Sequence, residues 1–324
     1  MELLRDLDIN PVPLEGKRVA IIGYGNQGRA QALNLKDSGI DVVVGLRGSS
    51  ASAVEAEAAG IETALVEKAV ASANVVMLLT PDEAIGAVYR EIEPHLREGA
   101  ALGFSHGLAI HFKVVEPRSD LDVFLLAPKG PGTALRSLYQ EGKGMYALWA
   151  VAQDHTGGAR EIALAYGRAI GCARAGLIAS GFGEECESDL FNEHAVVWGP
   201  IPEIMLAGFD VLVEAGISPE VAYLECVGEL KLLAGLIEQQ GPAGMREAIS
   251  NAAELGALLG GPRLIDDSIR DKMRDILAEI RAGCFAEELR QEEASGYQRL
   301  EKARNAARQT LLERTYRRLS DAES

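Results

Sequence analysis

The chain has 324 residues, with 32 Lys+Arg against 48 Asp+Glu, a formal net charge of −16. At about 100–200 residues per domain this length predicts two domains, and 48% hydrophobic with 25% charged residues excludes a disordered chain. The acidity excludes the basic footprint that nucleic acid or an anionic membrane surface needs, so an anionic ligand would require local positive charge or recruited metal cations.

The first residues, "MELLRDLDINPVPLEGK", carry acids where a signal peptide needs a basic start. No stretch approaches the roughly 20 uninterrupted apolar residues of a membrane span, so a cytoplasmic location is expected. Short apolar runs at Arg18–Gly23, Asp41–Leu46, Val75–Thr80, Ala101–Phe104, Val123–Ala127 and Tyr146–Ala152 read as buried parallel strands. Between them Gln27–Ser38 and Ala51–Ala59 have helical composition. Strand–helix alternation predicts an α/β class fold, a Rossmann doubly wound parallel sheet.

After Gly181 the β-type runs stop. Glu184–Glu214, Pro219–Glu238, Gly244–Leu259 and Ser268–Arg318 are helix-forming, separated by Gly-Pro and Gly-Gly punctuation. The expected division is a dinucleotide-binding domain at 1–182 and an all-α domain at 183–324. Cys172, Cys186, Cys226 and Cys284 form no C-x-x-C pair and read as free thiols.

"GYGNQG", Gly23–Gly28, follows the first strong strand and opens a helix. In that context Gly23 makes the turn, Gly25 lets backbone approach a pyrophosphate, and Gly28 allows tight helix–strand packing. NAD-type sites place an acid about twenty residues on, at the end of the second strand. Here that strand ends in Arg47, with Ser49, Ser50 and Ser52 and no acid before Glu55. A guanidinium and hydroxyls suit a 2′-phosphate, so NADPH is the expected cofactor.

Two acid pairs in the second half are spaced i, i+4: Asp189/Glu193 and Glu225/Glu229. On an α-helix such pairs share a face, about 6 Å apart along the axis. They either sit on solvated faces or converge on a hard cation such as Mg²⁺ or Mn²⁺.

The segments "GKRVAIIGYGNQGRAQALNLKDSG", "VVVGLRGSSAS", "TPDEAI", "HGLAIHF", "APKGPG", "EECESDLFNEHAV" and "ECVGELKLL…GMREAISNAAELG" occur in the order found in ketol-acid reductoisomerases. The chain resembles the short, class I form of that family from about residue 1 to about residue 316. The resemblance implies two Mg²⁺ ions, bridged by Asp189, with Glu193 on one of them. It implies that Glu225 and Glu229 complete the site from a second subunit of a homodimer, Glu229 also moving a proton. It implies further that Ser250 binds substrate carboxylate and that His106 and Lys129 are catalytic residues beside the metals. The cofactor contacts it implies are Gly23, Tyr24, Gly25, Asn26, Gln27, Gly28, Arg47, Ser50, Ser52, Pro81, Asp82 and Gly132. The implied reaction is an alkyl shift in 2-acetolactate or 2-aceto-2-hydroxybutyrate followed by hydride reduction, in branched-chain amino acid synthesis.

The sequence departs from the family pattern around this site. Leu108 and Ala109 stand where "HGFNIHF" is usual, and Thr133 replaces a loop histidine. Asn192, His194, Trp198 and Pro200 are unusual, and Gly228 stands where a histidine is usual. On a helix continuing past Glu193, Trp198 would wall the substrate pocket or point into helix packing. A changed wall leaves open a divergent relative acting on another 2-keto or 3-hydroxy acid.

Overall fold

The computed structural model describes residues 2–48 and 50–322, so the hydroxyl expected at Ser49 lies outside the described residues. The chain divides into two compact units, residues 1–188 and 189–324.

In the first unit the chain runs β1 (Leu3–Leu4), β2 (Arg18–Ile22), α1 (Asn26–Asp37), β3 (Asp41–Leu46), α2 (Ala51–Ala58), β4 (Glu62–Leu65), α3 (Val66–Ser72) and β5 (Val75–Leu78). It continues with α4 (Asp82–Ile92), β6 (Ala101–Phe104), α5 (Leu108–His111), β7 (Asp122–Pro128), α6 (Gly132–Gln140), β8 (Ala147–Gln153), α7 (Ala159–Ala169) and β9 (Leu177–Ala179). Helix α8 (Phe182–Ala195) runs across the division.

The described strands form one sheet in the order β1-β9-β8-β7-β6-β5-β2-β3-β4. Strand order reverses between β2 and β5, and ligands of open α/β sheets bind outside the carboxyl ends of the strands at such a switch. Strands β2 to β7 are mutually parallel, with Ala20 opposite Val43 on one side and Val76 on the other. Apart from the edge strand β4, their residues are largely buried on both faces, which is why they read as continuous Val/Ile/Leu runs rather than alternating ones. One core layer gathers Ile21, Met77, Phe124 and Tyr166, and the opposite layer Ile22, Leu78, Phe104 and Leu125. Each such side chain contributes roughly 1.5–3 kcal/mol on burial.

The strand expected at Tyr146–Ala152 exists, but it is antiparallel to β7, with Leu126 opposite Trp149. The reason lies in α6. Arg136 holds that helix on α1 by donating to Asn34 Oδ1 at 2.8 Å and pairing with Asp37 at 2.7 Å. The chain therefore turns back at the same end of the sheet instead of crossing it. Strands β1, β4 and β9 are too short or too polar to stand out in sequence.

The second unit is helical: α9 (Pro200–Glu214), α10 (Pro219–Tyr223), a π-helical turn (Leu224–Gly228), α11 (Leu230–Glu247) and α12 (Asn251–Leu264). Then follow α13 (Asp267–Arg281), α14 (Cys284–Ala294), α15 (Gln298–Ala307) and α16 (Leu311–Ala322). The helix-forming stretch Ser268–Arg318 is thus four helices. Gly283 at φ +77° starts α14, and Gly296 at +73° with Tyr297 at +63° separates α14 from α15. These left-handed residues end one helix and redirect the next.

The helix expected through Glu184–Glu214 also breaks. Ala195 ends α8, and Val196–Gly199 form turns. Pro200, at the first position of α9, has no N–H with which to continue the hydrogen-bond ladder of α8. The turn is closed by Val197 N–H donating to Asn192 O at 2.8 Å and Gly199 N–H donating to Glu193 O at 2.9 Å. This stretch passes a length and hydropathy test for a membrane span across 182–214. It is nevertheless interrupted by that turn and carries five acids, Glu184, Glu185, Glu187, Asp189 and Glu193, in its first helix.

Candidate active site

Five functional segments of the first unit sit just beyond the carboxyl ends of parallel strands. The glycine loop follows β2, Arg47 follows β3, Asp82 follows β5, His106 follows β6 and Lys129 follows β7.

The loop's geometry matches the three glycine roles. Gly23 turns at φ +98°, and a Cβ there would lie 2.8 Å from the Leu79 carbonyl oxygen. A Cβ on Gly28 would lie 2.3 Å from the Gly23 oxygen, so α1 packs on the loop backbone itself. A methyl on Gly25 would meet nothing within 4 Å, which leaves the open approach that a pyrophosphate requires. Asn26 and Gln27 lace this loop to the one after β7. Asn26 Oδ1 accepts from Thr133 N–H at 3.0 Å, and Gln27 Nε2 donates to Gly130 O at 2.9 Å. Gly132 has to be glycine, because a Cβ would meet Asn26 O at 2.1 Å.

Tyr24 is buried, and burial raises its phenol pKa above the ordinary value. Among the described residues, Tyr24 Oη and Thr80 Oγ1 are buried without a hydrogen-bond partner. Orphaned polar atoms beside a phosphate-binding turn fit a dinucleotide, whose oxygens would satisfy them. At the exit of β3, Arg47 is exposed and pairs with Glu91 of α4 at 3.5 Å. Ser50 caps α2, its hydroxyl accepting from Ala53 N–H at 3.2 Å. Ser52 is half-buried in the first turn of the same helix.

His106, Asp82, Lys129, Glu185 and Cys186 form one polar cluster. Asp82, expected at the cofactor, lies 2.7 Å from His106 Nδ1 through its Oδ2, while Pro81 caps α4. Glu185, on the first turn of α8, is 1% exposed. Its Oε2 accepts from Gly107 N–H, and its Oε1 accepts from Lys129 Nζ at 2.9 Å. A Cβ on Gly107 would meet the Phe182 oxygen at 2.1 Å, so this glycine lets α8 begin against the His106 loop. Burial works against a charge on His106. Hydrogen bonds to Asp82 and Cys186 and the nearby charges of Asp82 and Glu185 outweigh it, and its pKa is pushed up to about 11. Burial also raises the Cys186 thiol. At neutral pH His106 is therefore an imidazolium, a donor and a cation rather than a base.

No sequence signal assigns Glu185, or the free thiol Cys186, to this site. They lie in "GEECES", one acid among several, and nothing local separates the buried Glu185 from its exposed neighbour Glu184. The departures Leu108 and Ala109 are buried beneath this cluster in α5.

In the helical unit Asp189 and Glu193 are one turn apart on α8, as their spacing predicts. Glu225 and Glu229 are not on a regular α-helix. Glu225 lies in the π-helical turn and Glu229 closes it, so their faces are rotated relative to the α-helical expectation. Such π-turns cluster at functional sites. Ser250 is the N-cap of α12, accepting from Ala253 N–H at 3.2 Å. His194 is engaged locally: its Nδ1 lies 2.6 Å from Leu190 O, and its ring meets Phe285 edge-on at 4.5 Å. Trp198 lies in the turn between α8 and α9 and is 62% exposed. Among the described residues, no three His, Cys, Asp or Glu side chains converge on a metal-sized site within one chain.

Residues 13–176 match the acetohydroxy acid isomeroreductase NADPH-binding domain, and residues 182–323 match the ketol-acid reductoisomerase C-terminal domain. The chain belongs to the ketol-acid reductoisomerase family. It is an oxidoreductase with isomerase chemistry, of the short class I form associated with branched-chain amino acid biosynthesis. An NADH-preferring ketol-acid reductoisomerase from an uncultured archaeon is 41% identical over 99% of both chains, with a TM-score of 0.96. Two further structures share the fold. A semialdehyde dehydrogenase NAD-binding protein from Cupriavidus necator is 22% identical, covering 82% of this chain and 99% of its own, with a TM-score of 0.62. A Jannaschia oxidoreductase is 18% identical, covering 82% and 97%, also at 0.62.

The archaeal relative corrects the expected NADPH dependence, because a homologous chain of the same length prefers NADH. The Arg47 guanidinium is paired with Glu91, and the Ser50 oxygen accepts the cap bond of α2. The cofactor expectation is accordingly cut back to a dinucleotide-dependent oxidoreductase, without the NADPH specificity.

Proposed function

We propose that this chain reduces and isomerises a ketol acid with NADH as the preferred hydride donor. The observation that carries the reading is the His106–Asp82–Lys129–Glu185 cluster beside a glycine loop built for a dinucleotide. The NADH preference rests on the archaeal relative, together with the pairing of Arg47.

The dinucleotide would supply the hydride to the carbonyl carbon. Gly23–Gly28 and the start of α1 would hold its pyrophosphate, with Tyr24, Thr80 and the Gly132 loop around it. His106, kept charged by Asp82, donates to and stabilises negative charge on a substrate oxygen. Lys129 adds a second positive charge, and Glu185 fixes its position while bridging to Gly107 N–H. Asp189 and Glu193 offer carboxylate oxygens suited to a hard divalent cation, with Glu225 and Glu229 of a second copy of the chain completing the set. In that arrangement Glu229 serves as the proton carrier and Ser250, whose hydroxyl hydrogen remains available, as a donor to the substrate carboxylate. Taking 1–182 as the cofactor domain and 183–324 as the helical one, the second supplies the carboxylates and the subunit contact.

A homodimer accounts for the apolar surface of the helical unit. Val211, Leu232, Leu258, Leu259 and Leu264 are all more than 60% exposed, and α11 and α12 bury no residue within the chain. Patches of this kind mark interaction faces.

The test is oxidation of NADH and of NADPH with 2-acetolactate, with product identified as the 2,3-dihydroxy acid, before and after removal of divalent cations. Turnover that is faster with NADH and lost on chelation is expected. No dihydroxy acid with either dinucleotide, or a higher kcat/KM for NADPH, would overturn the corresponding part of the reading.

A further inference from the structure

We infer that Glu91 of α4 is a specificity-determining residue, which sets the chain against a 2′-phosphate by occupying the Arg47 guanidinium. The inference rests on the NADH reading above and supplies its physical cause.

The second strand of a Rossmann unit delivers the residue that meets the adenosine ribose. Here that residue is Arg47, the first after β3, and a guanidinium in that position ordinarily favours a phosphate. Arg47 instead lies 3.5 Å from Glu91 Oε2. The next guanidinium along the loop, Arg29 of α1, lies 3.3 Å from Glu55 of α2. Among the described residues, these two cations are thus each matched by a carboxylate. A phosphate, with a charge of about −1.5 to −2, would have to displace Glu91 and then remain near it. A ribose diol makes no such demand, since it needs only hydroxyl or backbone partners. The Ser50 oxygen accepts the cap bond of α2, and its hydroxyl hydrogen can serve a ribose hydroxyl or a phosphate alike, so it does not discriminate between them. The acid that NAD-type sites carry at the end of the second strand is therefore supplied here from α4, across the loop rather than along the chain. That is why the sequence around Arg47 reads as an NADP site.

The experiment uses the full-length protein and measures Kd for NAD⁺ and NADP⁺ by calorimetry, with 5′-ADP and 2′,5′-ADP as fragments that report the ribose end alone. Glu91→Gln is expected to tighten NADP⁺ and 2′,5′-ADP by about threefold to tenfold while NAD⁺ and 5′-ADP change less than about twofold. In Arg47→Gln/Glu91→Gln the gain is expected to disappear, because the released guanidinium is what the phosphate takes. An unchanged NADP⁺ to NAD⁺ ratio in Glu91→Gln would overturn the inference, as would a gain that survives removal of Arg47. Failure of the NADH reading shows separately, as wild-type protein binding NADP⁺ more tightly than NAD⁺. The ratio of variant to wild type still judges Glu91 in that case.

Discussion

The two units bury their apolar residues very differently. In residues 1–188 nearly every Val, Ile, Leu and Phe of β2, β3 and β5–β7 is sealed between helices. In residues 189–324 Phe209, Ala222 and Ile280 are buried, but leucines along α11 and α12 face outward. The first unit carries a self-sufficient core and a preformed polar cluster. The second has amphipathic helices whose apolar sides are unmatched within one chain, and carboxylates that one chain does not bring together. The glycine loop and the polar cluster are thus complete within the single chain, whereas the proposed carboxylate site would need a second copy.

Asp189→Asn should break that contrast most severely. Loss of about 10³-fold or more in kcat is expected, with the Kd for NADH unchanged by calorimetry, since its role lies with the cation and not the dinucleotide. Activity within about tenfold of wild type would remove the carboxylates from the mechanism.

Leu258→Asp places a charge on the exposed face of α12. Burying an unpaired carboxylate costs several kcal/mol, so a dimer held by that face should dissociate in sedimentation velocity while the far-ultraviolet spectrum is retained. A wild-type protein that sediments as a monomer would dissolve the comparison itself.

Within the first unit, two glycine substitutions separate fold from ligand. Gly28→Ala should lower stability by about 1–3 kcal/mol, because the methyl meets backbone that has nowhere to move. Gly25→Ala should leave Tm unchanged and weaken NADH by roughly tenfold, because its methyl enters only the space the pyrophosphate needs. Equal effects from both would show that the loop is merely a tight turn.

The smallest expected effect is a pH dependence. His106 has a folded pKa of about 11 against an ordinary 6.5. Its charge therefore stabilises the fold fully below about pH 6.5, and that contribution is lost as pH rises through about 11. Urea midpoints of wild type and His106→Gln should converge between about pH 6 and about pH 10.5, from a starting difference of about 1–3 kcal/mol. A gap that stays constant with pH would mean that the imidazole is neutral in the folded protein.

Much of this could be read from the chain. The glycine loop, the strands from β2 to β7 and the family's motif order are local patterns, and local patterns survive in one dimension. The direction of β8 could not be read, because it follows from α6 docking on α1 through Arg136. Nor could Glu185, whose burial distinguishes it from Glu184 only once Gly107 and Lys129 close over it.

Cofactor preference marks the boundary most clearly. The sequence alone determined that a dinucleotide is bound, because a glycine's lack of a side chain and its place between strand and helix suffice for that. The charge balance at Arg47 could not be read from the sequence, because Glu91 is forty-four residues away in the chain and 3.5 Å away in space, a pairing that only the tertiary structure makes. Periodicity and motif record what a segment can do by itself; electrostatic balance is set by whichever neighbours the fold brings alongside.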